Sequence, residues 1–243
     1  MSAIKIIAAR ELKAYFATPV AFVFIVIFLA LSGVFTFYLG GFYERGQADL
    51  QPFFNFHPWL YLFLVPAISM RLWAEERKSG SIELLMTLPV SVWDAVVGKF
   101  LAAWLFTAVA LALTFPMWIT VNYLGEPDNG VIITAYLGSL LMAGAFLAIG
   151  SCISAANRNQ VVAFIITVVI CFIFLLSGFP LVLDFVGGAP PVVTETVAGL
   201  SFLTHFNALS KGVIDLRDVV YFLLVIVAWL YATTIALELK KAD

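Results

Sequence analysis

Residues 70–90, MRLWAEERKSGSIELLMTLPV, form a charged segment inside an otherwise apolar chain. Five charged side chains fall within nine residues of it, at Glu75, Glu76, Arg77, Lys78 and Glu83. An apolar run follows them and ends at Pro89, and long apolar stretches lie on both sides of the segment. The segment therefore marks a polar connection between two helices long enough to span a membrane.

The composition is that of a membrane protein. Hydrophobic residues make up 63% of the 243 residues and charged residues 12%, and the mean hydropathy is +1.05. A soluble domain carries roughly a quarter charged residues, so the composition excludes that class. A bilayer core about 30 Å thick requires roughly 20 apolar residues per helix, and several stretches reach this length. The predicted fold class is an all-α, polytopic membrane protein with a single transmembrane domain over 1–243.

Six membrane-spanning helices are predicted. Their approximate ranges are 20–41, 53–73, 94–123, 131–155, 160–179 and 219–239. Pro66 lies inside the second of them and leaves one carbonyl without its helical donor, which membrane helices tolerate where neighbours or water bind the freed group. A kink at Pro66 is therefore expected.

Lys and Arg are distributed unequally between the two sides of the membrane. With six spans the termini share a side, which carries ten of these residues, against three on the other side, Arg45, Lys211 and Arg217. Cytoplasmic loops carry the excess of Lys and Arg. The sequence thus predicts a multi-pass protein of a bacterial inner membrane, with both termini and the charged segment in the cytoplasm.

Residues 3–16 are predicted to form an amphipathic helix lying along the membrane surface before the first span. Its apolar side chains share one face at helical spacing, and its basic residues, Arg10 among them, share the opposite face. Glu11 interrupts the apolar face. Because a carboxylate is unfavourable against lipid, Glu11 is expected to face another part of the protein.

The fourth predicted span contains two stripes of small residues four positions apart. They are Ala135, Ser139 and Ala143, and Gly144, Ala148 and Cys152. Small residues let helix backbones approach closely in a membrane. The stripes predict either tight packing within the subunit or part of a dimer interface.

The segment 181–209 is apolar but is interrupted by proline and glycine, which excludes one continuous span. It is predicted to form two short helices that enter the outer membrane surface, the second beginning at Pro191, and an irregular loop is the alternative. The two histidines, His57 and His205, are interpreted as isolated residues at the outer membrane boundary.

No catalytic or nucleotide-binding motif is present in the sequence. Gly98-Lys99 lacks the upstream glycine of the pattern G-x-x-x-x-G-K-[ST] and is followed by Phe100, so this chain cannot bind ATP by that route. No residues have metal-ligand spacing. We expect no cofactor and no metal in this chain and no nucleic-acid partner, so directional transport would need a partner that supplies the energy.

Residues 81–88 are predicted to form a two-turn cytoplasmic helix. Gly80 or Ser81 caps it, and Glu83 lies in its first turn, where the helix dipole favours negative charge. Pro89 disfavours helix at the residue before it. The helix exposes an apolar surface made of Ile82, Leu85 and Met86. Lipid contact alone would explain that surface, but docking into a partner protein better explains its combination with the neighbouring charges.

The charged segment and its continuation resemble a family signature. Residues 70–100, MRLWAEERKSGSIELLMTLPVSVWDAVVGKF, are similar to the pattern M-R-x-x-A-E-E-x-x-x-G-[ST]-x-E-x-L-x-x-x-P-V, followed by G-K, of ABC-2 type transporter permeases. RELKAYFATPVAFVFI near the start and HFNALSKGVIDLRDVVYF near the end resemble the gliding-motility-type branch, whose permease is called GldF. The resemblance covers essentially the whole chain.

The resemblance implies a type V exporter-like permease, in which two permease copies recruit two ATP-binding subunits that hold ATP and Mg. It assigns 81–88 as a coupling helix that enters a groove on the ATPase, and 181–209 as an outer gate. The ATPase-coupling residues it implies are Glu75, Glu76, Arg77, Gly80, Ser81, Ile82, Glu83, Leu84, Leu85, Met86, Pro89 and Arg158. The outer-gate residues it implies are Pro180, Pro191, His205 and Phe206.

Three functions are compatible with these observations. The first is a permease that couples ATP hydrolysis by a separate subunit to export. The second is a mechanotransmission or signalling subunit that drives a periplasmic or envelope partner while no cargo crosses. The third is an intramembrane enzyme, which is disfavoured because no catalytic pair is visible.

Overall fold

The computed structural model describes residues 2–80, 82, 90–186 and 190–239, and over these ranges the chain is helical with short connections. The helices of the first half are α1 (Ala3–Phe16), α2 (Pro19–Val34) with a π-helical turn (Phe35–Leu39), α3 (Gln51–Asn55), α4 (His57–Ser69), α5 (Arg71–Ser79), α6 (Val92–Ala112) and α7 (Phe115–Leu124). The second half contributes α8 (Asn129–Ala156), α9 (Gln160–Leu176), α10 (Pro180–Val186), α11 (Pro191–Gly199), α12 (Phe202–Ser210) and α13 (Leu216–Leu239).

Four of the described helical segments are long and apolar enough to cross a membrane. They are Pro19–Leu39, Val92–Leu124, Asn129–Ala156 and Leu216–Leu239. The fifth predicted span corresponds to the shorter α9, with 17 residues. The second is divided among α3, α4 and α5, so six spans in total remain a prediction.

The second predicted span breaks at Met70, and α4 runs through Pro66 to Ser69. The carbonyl of Pro66 accepts hydrogen bonds from the Met70 N–H at 2.9 Å and from Ser69 Oγ at 3.2 Å. The carbonyl of Pro66 is therefore paired within the helix, which ends one turn later than the expected kink.

Helix α8 lies at the centre of the bundle, in contact with α4, α5, α6, α9, α12 and α13. All six residues of its small-residue stripes are buried by other parts of the same chain. A Cβ at Gly144 would lie 2.9 Å from Trp104 Nε1, and one at Gly138 would lie 2.8 Å from Leu209 Cβ. The stripes thus serve packing within the subunit, the first of the two predicted alternatives.

The segment after α9 folds into three short helices, one more than predicted. The second predicted helix ends at Gly199, and α12 starts afresh because the Ser201 side chain accepts a hydrogen bond from the Thr204 N–H at 3.3 Å. Pro180 and Pro191 are the first residues of α10 and α11, where proline is compatible with a helix because its missing N–H would be unpaired anyway.

Replacing Gly150 by alanine should destabilise the bundle, because its Cβ would lie 2.5 Å from Ser69 Cβ in the contact between α8 and α4. Overpacking of this kind costs about 1–3 kcal/mol. The matched control is Gly33→Ala in α2, where no atom lies within 4 Å of the new Cβ. Thermal unfolding in detergent should show a lower midpoint for G150A alone, and equal midpoints for both variants would contradict the packing described here.

Candidate functional site

A buried lysine joins three helices near the start of α6. Lys99 is 3% exposed, and its Nζ donates to Glu76 Oε1 at 2.7 Å and to the carbonyl of Leu72 at 3.2 Å. Glu11 Oε2 lies 3.6 Å away, and the Trp73 ring centroid 5.1 Å away. We call Lys99, Glu11 and Glu76 the Lys99 cluster. It connects α1, α5 and α6 through one ammonium group.

The approach of α1 to α6 depends on the glycine before this lysine. A Cβ at Gly98 would lie 2.9 Å from the Cβ of Ile7, the buried residue of α1. Glu11 follows Ile7 by one helical turn, so it lies on the same face of α1 and reaches Lys99. The prediction that Glu11 faces the protein is therefore confirmed. Arg10 remains exposed and donates to Glu11 Oε1 at 2.6 Å.

The energetics of the cluster depend on the burial of the ammonium group. Removing a charge from water costs several kcal/mol unless it is paired and hydrogen bonded. Lys99 has an ion pair to each of two carboxylates and a bond to a backbone carbonyl, while Glu11 and Glu76 are about one-fifth exposed (20% and 22%). The cluster is thus an ion-pair network inside the protein. Solvent screens only the partly exposed carboxylates of Glu11 and Glu76 and not the buried ammonium group of Lys99.

A serine of α8 holds the break between α4 and α5. Ser154 Oγ donates to the carbonyl of Met70 at 2.8 Å and accepts from the N–H groups of Trp73 at 3.1 Å and Ala74 at 3.0 Å. These three bonds use the full capacity of a hydroxyl, one donor and two lone pairs. Trp73 Nε1 also donates to Ser151 Oγ at 3.1 Å. The start of α5 is therefore fixed to α8 by side chains one helical turn apart.

Helix α5 extends the charged segment from this junction. Arg71 and Glu75 form a pair one turn apart, with Nε 3.0 Å from Glu75 Oε2. Gly80, with φ +73°, ends α5 in the left-handed conformation that favours glycine. It therefore caps the end of α5, whereas the sequence predicted a cap for the following helix.

The described residues include only part of the predicted coupling helix. Ile82 is partly buried and packs against the core. The other coupling residues of this stretch lie outside the described residues: Ser81, Glu83, Leu84, Leu85, Met86 and Pro89. Helix α5 contacts both α8 and α9, and partial burial and then the charge of Arg158 lower the pKa of Arg77. This places α5 beside the turn between α8 and α9.

The interpretation of the two histidines as isolated residues was wrong. His205 is buried, with Nδ1 2.5 Å from Asp218 Oδ1 of α13 and Nε2 3.0 Å from the carbonyl of Gly199. His57 is fully buried, with Nδ1 2.8 Å from Ser139 Oγ. The error arose because their partners lie on other helices, too far away in the sequence for a local pattern to reveal the pairing.

Of the remaining outer-gate residues, Phe206 is buried and packs in the core beside His205.

The described residues contain no group of three or more His, Cys, Asp and Glu side chains able to hold a metal. Their polar clusters are instead ion pairs and hydrogen bonds between helices. The arrangement defines a helical membrane protein whose charged helix α5 is attached firmly to the bundle. Sequence reasoning missed Lys99, Ser154 and Asp218 as contributors to this arrangement.

The comparison with protein families is consistent with this class. The model of the ABC-2 family transporter proteins matches residues 6–239. The chain therefore belongs to the ABC-2 transporter family and is a membrane permease of that family. A search of curated proteins found no match.

Lys99→Met should destabilise the protein by about 3 kcal/mol, because it leaves two carboxylates without their buried partner. Lys99→Met with Glu76→Gln should recover part of that loss, since the double variant also removes the carboxylate charge that the Lys99 ammonium group balances. The measurement is the unfolding of purified protein in detergent. The control is Lys78→Met, because Lys78 is an exposed lysine of the same helix as Glu76. Strictly additive effects of K99M and E76Q would show that the two side chains do not interact.

Proposed function

We propose that this chain is the permease subunit of an ATP-binding cassette transporter and that a separate ATPase subunit docks on α5 and on residues 81–88. Membership of the ABC-2 family supports a permease that depends on an ATPase. The observation that carries the proposal is the double attachment of α5, through Lys99 to α1 and α6 and through Ser154 to α8. A force applied at the end of α5 is transmitted to three helices through these bonds.

The mechanism follows from the rigidity of these contacts. ATP binding draws the two ATPase subunits together, and each pulls on residues 81–88. Helix α5 then moves with α1 and α6 as one unit, which changes the tilt of the permease against its neighbour. ATP shifts the permease equilibrium only if the ATP-bound ATPase fits one permease geometry better than the other.

The finer features of the proposal are a second permease copy, two ATPase subunits carrying ATP and Mg, and both termini in the cytoplasm of a bacterial inner membrane. The excess of Lys and Arg on one side supports the orientation. The two end segments quoted above support the GldF-like, gliding-motility-type branch. In this proposal the cycle performs export of a cargo, and Arg158 forms a smaller contact with the same ATPase.

Docking and transmission are separable by mutation, because different residues carry them. Leu85→Ala should reduce binding of the cognate ATPase subunit to the permease. Lys99→Met and Ser154→Ala should leave the ATPase bound but lower the stimulation of its activity by about ten-fold, since each removes a link between α5 and the bundle. The measurements are co-purification and ATP hydrolysis per complex in proteoliposomes.

Leu216→Ala is the matched control, because Leu216 is a highly exposed leucine (74%) on the predicted opposite side of the membrane. Unchanged assembly and unchanged stimulation in L85A would contradict docking on residues 81–88. Full stimulation in both K99M and S154A would contradict transmission through α5.

A further inference from the structure

A cavity of about 400 Å³ lies between α1, the start of α2, the junction of α4 and α5, and α6. Its volume falls within the range of about 300–1,000 Å³ that is typical of small-molecule sites. The lining is apolar at one end and charged at the other. Two of its lining residues, Lys99 and Glu11, belong to the Lys99 cluster, but the proposed ATPase cycle places no molecule in the cavity itself.

The apolar end lies beside the surface that faces the acyl chains of the bilayer. Ala21 and Phe24 of α2, Ile68 of α4 and Phe106 of α6 line it. On the outward side of α2, Val23 and Val26 are more than half exposed, as expected of a lipid-facing helix (56% and 64%). An acyl chain that enters beside α2 would meet apolar side chains at this end of the cavity.

The charged end contains two hydrogen-bond donors without an acceptor. Arg71 donates through Nε and Nη2 to Glu75, and among the described residues nothing accepts from its Nη1. The Tyr15 hydroxyl likewise has no hydrogen-bond partner in the described ranges, although its ring stacks on Phe106 with centroids 5.2 Å apart. Burial and then the charge of Glu11 raise the pKa of Tyr15, so its hydroxyl keeps its proton and remains a donor.

The charges at this end are balanced. Lys99 and Arg71 contribute two positive charges to the lining, and Glu11 and Glu75 contribute two negative charges. Lys99 and Glu11 are engaged with each other, whereas the Glu75 side chain is 52% exposed and has oxygen lone pairs to spare. The cavity thus presents unpaired donors for an anion, and beside them a half-exposed carboxylate that is bound to Arg71 and can accept a further hydrogen bond from a cation.

We propose that this cavity binds one zwitterionic phospholipid whose head group carries a phosphate and a primary ammonium group. The phosphate accepts hydrogen bonds from Arg71 and Tyr15, a pairing that suits the planar guanidinium. The ammonium group donates to Glu75, and one acyl chain lies against Phe24 and Phe106. A lipid in this position contacts α1, α2 and α5 together and stabilises their arrangement from the side open to the membrane.

The test uses the full chain, purified in a mild detergent without any ATPase subunit, so that its outcome is independent of the proposed function. Native mass spectrometry measures retention of phosphatidylethanolamine against phosphatidylglycerol with the same acyl chains. We expect one bound lipid per chain and at least about five-fold more phosphatidylethanolamine, because only that lipid supplies the cation. Equal retention of the two lipids would overturn the proposal.

Two head-group variants separate the two contacts. Arg71→Gln should lower the retention of both lipids by about five-fold or more, because it removes the donor to the phosphate they share. Glu75→Gln should preserve binding of phosphatidylglycerol and abolish the preference for phosphatidylethanolamine. The matched controls are Arg217→Gln and Glu238→Gln at exposed positions away from the cavity. An unchanged preference in E75Q would overturn the assignment of the ammonium group.

A third variant tests the place of the acyl chain. Ala14→Phe fills the cavity from α1, whereas Ala9→Phe places the same ring at another exposed position of that helix. Both alanines are exposed, so both variants should fold, which size-exclusion chromatography and circular dichroism check. A14F should lose the lipid and A9F should retain it. Equal retention by the two variants would show that the lipid binds elsewhere.

Discussion

The attachment of Lys99 to two carboxylates and a backbone carbonyl is the interaction on which this architecture depends. A lysine at 3% exposure is stable as a cation only if its partners are fixed in place. Here those partners come from α1 and α5, so the cost of burying the charge requires both helices to stay against α6. The charged helix α5 is therefore attached to the core through its first turn and through Glu76.

The junction between α4 and α5 is the second constraint and acts through the backbone. A helix break inside a membrane protein leaves polar groups that need partners, because lipid offers none. Ser154 binds three such groups at once, and its neighbour one turn earlier binds the Trp73 indole. The direction in which α5 leaves the bundle is thus set by α8, the most buried of the four described helical segments that could cross a membrane.

The class of fold is readable from the sequence because a bilayer imposes a length and a composition on each span. The amphipathic α1 and the position of Glu11 follow from helical spacing in the same way. The break at Met70 could not be predicted from helical spacing, since it depends on Ser154, a serine 84 positions later. The Gly98-Lys99 pair is visible in the sequence, but only its contact with Ile7 shows that the glycine admits α1 and that the lysine is buried. The pairing of His205 with Asp218 was missed for the same reason, because the turn after α12 separates them.

We propose that α1 and α5 move as one unit when the ATPase closes. The most direct measurement is pulsed electron-paramagnetic-resonance distance determination with spin labels at the exposed Lys13 and Lys78, on the assembled transporter with and without trapped nucleotide. The account predicts that the distance from label 13 to label 78 within one chain stays the same, while the distance between the two copies of label 78 changes. A change in the first distance on nucleotide binding would show that α5 moves independently of α1 and would contradict the account.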